Sequence, residues 1–188
     1  MRQARLHFVE EGYAGAKMEP IAREAGVSTA TLYAMFENKA ALFAAVIDEA
    51  SADFAERMAK VKTCSGPAQP RLNSFLTAYA DFISDPFVRA IFRLVMTERR
   101  RFESLATTFY EQAKHDFGTV LVSALAEMAA KGELNLHKPS WAASQLMGMV
   151  EHPLFFVPAV TGDQVLPVRS PAAIAEDAVE TFLARYAA

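Results

Sequence analysis

The chain has 188 residues, 52% of them hydrophobic and 22% charged, and carries a net charge of −3, a composition typical of a folded globular protein rather than a disordered one. The single cysteine, Cys64, excludes an intrachain disulfide and an all-cysteine metal site. Because no apolar run reaches the roughly 18 residues that a bilayer span needs, we expect a soluble, cytoplasmic protein without a membrane partner.

The first predicted elements form a helix-turn-helix. Ile21 and Ala22 lie on one face of a short helix. That helix ends at Gly26, because glycine tolerates the positive φ of a tight corner. Val27 is expected to fill the angle between this helix and the next.

The second helix of the motif begins after Ser28, whose hydroxyl can accept an unpaired backbone N–H at the helix start. This helix is predicted from about Thr29 to Met35. Leu32 and Phe36, four positions apart, face inward. The side chains left outside to contact a partner are those of Thr29, Ala30, Thr31 and Tyr33.

Apolar positions at helical spacing predict six further helices. Asn38 caps the first, which runs from about Lys39 to Val61 and is followed by a turn-rich break at residues 63–70. The others are predicted at about Arg71–Ile83, Phe87–Glu98, Glu103–Lys131, Lys138–Glu151 and Pro171–Tyr186, and they end where proline or glycine interrupts the pattern.

The connections between these helices are read from turn residues. Residues 99–101, three arginines, are predicted as a solvated turn. The helix before His152 is expected to stop at Pro153, and a loop containing Pro158, Gly162 and Pro167 should follow it. No stretch alternates apolar and polar residues with a period of two, so the predicted fold class is all-α.

The N-terminal residues resemble, at fixed spacing, the DNA-binding domain of the TetR family of transcriptional regulators. The resemblance extends over roughly the first 48 residues and implies a three-helix DNA-binding domain at residues 1–48, with a larger helical effector-binding and dimerisation domain at residues 49–188. It also implies a homodimeric regulator, usually a repressor, that binds a double-stranded DNA operator and responds to a small-molecule effector. The matching positions are Ala4, Phe8, Gly12, Tyr13, Ile21, Ala22, Ala25, Gly26, Val27, Ser28, Thr31, Leu32, Tyr33, Phe36, Lys39 and Leu42.

The resemblance transfers the family's DNA contacts to this chain by position. Hydroxyl groups of Thr31 and Tyr33 suit phosphate oxygens, and the ammonium of Lys39 is a point charge for the backbone. Thr29 can donate to a base edge, and the small Ala30 lets the helix approach a thymine methyl closely. The predicted DNA-binding residues are Lys17, Ser28, Thr29, Ala30, Thr31, Tyr33, Met35 and Lys39.

The DNA-binding domain predicted at residues 1–48 differs from the family pattern in its charge and at several positions. Residues 1–48 carry five basic and six acidic side chains, a net charge of −1, so non-specific DNA affinity should be modest and depend little on salt. Ala16, Ala34 and Met35 stand where family members often have residues that contact a phosphate or the groove. These differences predict that the domain binds DNA more weakly or recognises a different sequence. His7 stands where the family usually has leucine. Because family members usually carry a basic arm here, we expect the natural protein to extend upstream of Met1.

Aromatic density in the second part of the chain predicts an apolar effector pocket, since eleven of the fourteen phenylalanines follow residue 48. The same stripes are also what an ordinary core contains. The candidate pocket residues are Phe75, Tyr79, Phe92, Met96, Phe109, Phe117, Met147 and His152. Polar candidates for orienting an effector are Arg89, Arg93, His115, Gln145, Glu151 and His152.

The last two long helices predict a homodimer, because their apolar faces exceed what one small body covers and two copies could bury them as four helices. The faces are those of Leu146, Met149 and Val150, and of Val179, Phe182, Leu183 and Tyr186. An alternative is that they pack within one chain.

An enzyme is the main rival class, and the sequence argues against it. It has no Gly-x-Ser-x-Gly elbow, phosphate loop or His-Glu-x-x-His pair, so we predict no catalytic residues, no metal and no cofactor. Cys64 has no base near it in sequence, which makes a redox role unattractive. The other rival is a helical ligand-binding or adaptor protein with weakened DNA binding.

Overall fold

A computed structural model of the chain describes residues 1–59 and 66–188, with the backbone alone at residues 58 and 59. The described residues contain no strand, and an isolated antiparallel bridge pairs Leu134 with Ala187. The predicted all-α class is confirmed. The α-helices are α1 (Arg2–Gly15), α2 (Met18–Glu24), α3 (Thr29–Met35), α4 (Lys39–Ala59), α5 (Ala68–Ile83), α6 (Pro86–Glu98), α7 (Glu103–Ala113), α8 (Val120–Ala130), α9 (Pro139–Glu151), α10 (Val157–Thr161) and α11 (Pro171–Tyr186).

The first compact unit comprises Met1–Asp53 together with Ala90–Tyr110. Its centre is an aromatic cluster of four rings. Phe43 lies 5.2 Å from Phe8, 5.1 Å from Tyr13 and 4.8 Å from Phe102, measured between ring centroids. The segment around Phe102 therefore packs with the N-terminal helices, although the predicted boundary at residue 48 separates them. The functional division at that boundary stays a prediction.

The second compact unit comprises Phe54–Arg89 and Glu111–Ala188. Helix α5 packs against α11, and both contact α9. Leu76, Leu146 and Val179 are completely buried, so the core of this unit lies where these helices meet. Helix α5 begins at Ala68, three residues before the predicted start, because Pro70 lies in its first turn, where a missing N–H costs little.

Two π-helical turns lie in the second unit, and neither was predicted. Lys114–Thr119 joins α7 to α8, so residues 103–130 form one helical run with a wide turn inside it. His152–Phe156 likewise joins α9 to α10. After the first π turn, α8 buries Leu121, Leu125 and Met128 at ordinary helical spacing.

The predicted end of a helix at His152–Pro153 is wrong. The helical run continues from Pro139 to Thr161, with Pro153 in the π turn and Pro158 in the first turn of α10. The wide turn accommodates Pro153, since its i→i−5 bonding pattern relieves the ring clash that would stop a regular helix. Pro158 therefore lies in a helix rather than in the predicted loop.

A buried ion pair fixes the chain after α10. Arg89 is 2% exposed, and its Nε donates to Asp163 Oδ1 at 2.7 Å. Its Nη1 also donates to the carbonyl oxygens of Ser84 at 2.5 Å and Ile83 at 3.3 Å. Arg89 thus joins α6 to the loop beyond Thr161, while its role in orienting an effector stays a prediction.

Some predictions lie outside the described residues. These are the end of the long helix at Val61 and the environment of Cys64 in the turn-rich break. Among the residues that the structure does describe, no single helix has the length and apolar content of a membrane span, and α3 with Lys39–Arg57 meets those criteria as a pair bent by 67°.

Candidate nucleic-acid interface

The corner between α2 and α3 is built by backbone geometry at Gly26. This residue has a φ of +71°, its N–H donates to Arg23 O at 3.1 Å, and the Val27 N–H donates to Ala22 O at 3.0 Å. This pair of hydrogen bonds is a Schellman motif, which satisfies the last carbonyl groups of α2. Val27 is 38% exposed, so its side chain fills the angle only in part, less than predicted. Its backbone closes the motif.

The start of α3 has the predicted N-cap. The Thr31 backbone N–H donates to Ser28 Oγ at 3.0 Å, and the two hydroxyls lie 2.7 Å apart. Ile21, Ala22 and Leu32 are buried beneath the motif, which fixes the short helices against each other. The cap and these apolar contacts hold a seven-residue helix that would be marginal alone.

The outer face of α3 is open to solvent, as predicted. Tyr33 is 44% exposed and Met35 68% exposed. Ala30 and Thr31 are exposed as well, and Thr29 is half-buried. The face therefore offers two hydroxyls, one thioether and one methyl group, which are groups that can contact phosphate oxygens, base edges and thymine methyls.

The two predicted lysine contacts differ in their surroundings. Lys17 is exposed at the N-cap position of α2. Lys39 is half-buried, and its Nζ donates to the carbonyl oxygens of Ala14 at 3.2 Å and Ala16 at 2.9 Å. Lys39 therefore holds the end of α1, and its ammonium has one N–H left for a phosphate.

The ring of Tyr13 contacts two cations. Lys39 Nζ is 4.7 Å and Arg101 Cζ 4.6 Å from the ring centroid. Arg101 belongs to the turn at residues 99–101, which is exposed as predicted. These cation–π contacts attach the arginine turn to the N-terminal helices within the first unit.

The predicted effector residues do not form one group. Phe75, Tyr79 and Phe117 lie together in the second unit, with Tyr79 centred 6.3 Å from Phe75 and 5.3 Å from Phe117. Phe92 and Phe109 form an edge-to-face pair in the first unit at 4.9 Å. The remaining three are Met96, which is exposed, Met147, which is half-buried, and His152, which is exposed and stacks on Phe156.

Buried polar groups accompany the aromatic cluster of the second unit. The Tyr79 hydroxyl donates to Glu151 Oε1 at 2.5 Å. Burial, together with the nearby Glu151 charge, raises the pKa of Tyr79 well above its usual value of 10. Asp116 lies buried in the first π turn and accepts a hydrogen bond from Gln112 Nε2 at 2.9 Å. Sequence patterns missed Asp116, because an acidic side chain between apolar positions carries no signal of its burial.

The other polar candidates are distributed over the structure. Gln145 accepts a hydrogen bond from the Tyr186 hydroxyl at 2.5 Å, His115 is exposed, and Arg93 is half-buried. Among the residues that the structure describes, no three His, Cys, Asp or Glu side chains are placed to hold a metal ion.

A groove of about 530 Å³ lies between α9 and α11, and of the predicted effector residues Gln145, a polar candidate, borders it, whereas the eight candidate pocket residues do not. Leu146, Val150, Val179 and Phe182, which were predicted to face a second copy, are buried within the chain. That part of the prediction is wrong, because the packing of α9 and α11 with each other and with α5 and α8 already removes these side chains from solvent. The groove is bordered by Ser144, Gln145, Gly148, Met149, Thr181, Phe182, Arg185 and Tyr186.

Comparison with known proteins identifies the chain in two parts. Residues 1–46 match the tetR family of bacterial regulatory proteins. Residues 70–188 match the family described as AefR-like transcriptional repressor, C-terminal domain. No curated protein matches the chain.

Solved structures share the fold over nearly the whole chain. A TetR-family transcriptional regulator from Mesorhizobium loti MAFF303099 is 25% identical, with a TM-score of 0.79 over 100% of this chain and 94% of that one. The flavonoid-responsive regulator FrrA is 29% identical, with a TM-score of 0.68 over 99% and 94%. FadR from Bacillus subtilis, solved with stearoyl-CoA, is 21% identical, with a TM-score of 0.73 over 96% and 94%.

The capped, outward-facing α3 and the family match of the N-terminal residues agree with each other. The match of residues 70–188 covers more than half of the sequence. The chain therefore belongs to the TetR family of transcriptional regulators, whose members are typically repressors with a ligand-binding C-terminal domain.

Proposed function

We propose that this regulator binds its operator through the outer face of α3 and the residues on either side of it. The observation that carries the proposal is the exposed row of Ala30, Thr31, Tyr33 and Met35 on a helix whose start is capped by Ser28. A short helix that is rigid at its base and open on one face can enter the major groove. Lys17 and Lys39 would contact the flanking phosphates.

We infer that the division of labour follows the predicted domains, with DNA binding in residues 1–48 and effector binding and dimerisation in residues 49–188. Such a protein acts in the cytoplasm, where its operator is. The two DNA-binding domains of a homodimer would enter successive major grooves about 34 Å apart.

The homodimer would use the outer sides of α9, α10 and α11. Trp141, Phe156 and Val160 are between 56% and 70% exposed on the continuous helical run from Pro139 to Thr161. The groove between α9 and α11 adds further apolar surface. If a second copy of the chain covers these side chains, a large exposed apolar area is removed from water. Burial of such an area is the usual basis of a stable dimer.

The effector would be a small, largely apolar molecule whose binding releases the repressor from DNA. The support is the aromatic cluster of Phe75, Tyr79 and Phe117, which lies beside polar groups that can orient a ligand. FrrA responds to flavonoids, and FadR of Bacillus subtilis was solved with stearoyl-CoA, so both ligand classes are suitable probes. An effector acts if it binds the released state more tightly than the DNA-bound state.

The DNA-binding proposal is tested with a duplex selected by the purified chain from a random-sequence pool. Tyr33→Ala should weaken binding about tenfold, the usual effect of losing a hydrogen bond to a charged phosphate. Tyr110→Ala is the matched control, since Tyr110 is an exposed tyrosine of the same unit outside the helix-turn-helix, and it should bind like the unmodified chain. Equal affinities of both variants would contradict the proposal, and selection of no duplex would favour a ligand-binding or adaptor protein.

The effector proposal is tested by adding flavone or stearoyl-CoA to the protein–duplex complex and measuring fluorescence anisotropy. The expected result is release of the duplex by at least one of the two probes. A Phe117→Ala variant that still binds the duplex should need more of that probe. If both probes bind the protein and leave the duplex affinity unchanged, release by these ligand classes is ruled out.

A further inference from the structure

His7 is a buried histidine between two carboxylates in the first unit. It lies on α1 and is 8% exposed. Its Nδ1 is 2.6 Å from Glu11 Oε1, one turn along the same helix, and its Nε2 is 3.0 Å from Glu24 Oε2 on α2. Ionised carboxylates accept hydrogen bonds and cannot donate them. Both distances are therefore satisfied together when each ring nitrogen carries a proton, which makes the ring an imidazolium.

The position of Glu24 gives this contact its importance. Glu24 is the last residue of α2, directly before the corner from which α3 departs. A negative charge at a helix C-terminus is unfavourable, because the carbonyl end of the helix dipole is itself negative. A cation at His7 offsets both charges and joins α1 to the end of α2. A neutral ring has one N–H and would leave the other nitrogen lone pair facing a carboxylate oxygen.

The charged groups in contact with His7 come from two helices. Glu11 is on its own helix and Glu24 is on α2, where Arg23 lies 3.8 Å from the second carboxylate oxygen of Glu24. Elsewhere on α1, Arg5 pairs with Glu49 and Asp53 of α4, at 2.7 and 2.8 Å. Burial by itself lowers the pKa of His7, but the hydrogen bonds and charges of Glu11 and Glu24 outweigh it and raise that pKa above 6.5.

We propose that His7, with a proton on each ring nitrogen, is a positioning residue that holds α1 against the end of α2. Operator affinity therefore decreases when one of these two protons is lost at higher pH. The inference rests on the proposed function, because the arrangement of α1 and α2 sets the direction of α3. No direct contact between His7 and DNA is involved.

The sign of the pH effect follows from the raised pKa. The stabilisation is fully present below 6.5, the ordinary value in an unfolded chain, and is lost as pH rises through the higher value of the folded protein. Above that value, one proton must be taken up for each DNA-binding domain that adopts the binding arrangement. Affinity for DNA should then fall by up to about tenfold per pH unit for each domain, and by up to about a hundredfold for a homodimer that binds with both.

The first experiment needs no DNA. Nitrogen-15 spectra of the histidine rings in the full chain should show, at pH 6.5, a predominantly doubly protonated His7. The Glu24→Gln variant keeps a hydrogen-bond acceptor but removes the charge, so the transition of His7 should move to lower pH. A singly protonated His7 at pH 6.5 would overturn the proposal, whether or not the chain binds DNA.

The second experiment measures affinity for the selected duplex between pH 6 and 9 at constant salt. Binding by the unmodified chain should weaken as pH rises, whereas the His7→Leu variant should show no transition attributable to this group. His137→Gln, at an exposed histidine of the second unit, is the control and should follow the unmodified chain. If His7→Leu folds and retains the same pH profile as the unmodified chain, the positioning role is wrong, while the proposed DNA-binding function stands.

Discussion

The helix-turn-helix of the first unit and the long helices of the second unit use opposite means to fix their geometry. Residues 18–35 depend on local backbone chemistry, namely the corner at Gly26 and the cap at Ser28. The second unit depends on contacts between residues far apart in sequence, such as Arg89 with Asp163. The comparison teaches that small local changes can damage the outer face of α3, the proposed DNA-binding surface. The stability of the second unit, in contrast, is most sensitive to changes at its buried polar contacts.

The largest expected effect is at the buried arginine of the second unit. Arg89→Ala should lower the free energy of unfolding by about 3–5 kcal/mol, because it removes the buried cation that donates to Asp163 Oδ1 and to the carbonyl oxygen of Ser84. Urea unfolding followed by circular dichroism measures this change.

The matched control for that variant is Arg169→Ala. Arg169 pairs with Asp177 at the surface, and such pairs contribute about 0–1 kcal/mol. If the two arginine variants lose similar stability, the contrast between buried and exposed ion pairs in this unit is wrong.

The next effect concerns the corner of the first unit. Gly26→Ala should cost about 1–2 kcal/mol, because an L-residue resists the φ of +71° although no atom obstructs its Cβ. Duplex affinity should fall with stability, since the corner directs α3. Gly148→Ala, in a helix with open space around its Cβ, is the control and should not destabilise the chain. Equal losses would contradict the role assigned to the corner.

A smaller effect is expected at the helix cap. Ser28→Ala should cost about 1 kcal/mol by removing the acceptor for the Thr31 N–H. Ser170 caps α11 through the Ala173 N–H at 3.2 Å, so Ser170→Ala tests the same chemistry in the second unit. Loss of duplex affinity for Ser28→Ala alone, with similar stability losses for both, would link the first cap specifically to DNA binding. If Ser170→Ala weakens duplex binding equally, the effect belongs to overall stability.

How far the sequence predicts the structure differs between the same two regions. The bounds of α3 and α11 and the start of α4 match their predictions, because the caps at Ser28 and Asn38 and the proline at residue 171 are local signals. The π turns could not be predicted, because Pro153 normally marks a helix end and only tertiary packing selects the wide turn around it. Among the predicted effector residues, Phe75, Tyr79 and Phe117 come together, while spacing alone could not separate them from Phe92 and Phe109.

The smallest effect is at Glu127 on the surface of the second unit. Hydrogen bonds from Lys131 and Arg71 lower the pKa of Glu127 to about 2. A lowered pKa contributes stability above 4.5 that is lost as pH falls toward 2, so Glu127→Gln should have its largest effect near neutral pH and none in strong acid. Carbon-13 detection of the carboxyl titration checks the value, and an ordinary midpoint near 4.5 would show that these contacts do not persist in solution.

The most direct test of DNA binding by the outer face of α3 is amide hydrogen exchange of the full chain, with and without the selected duplex. The account predicts that added protection is greatest at Thr29–Met35 and at the start of α2, and that the amides of α9 to α11 change little. Protection confined to the second unit, or a bound duplex that leaves α3 unchanged, would contradict it.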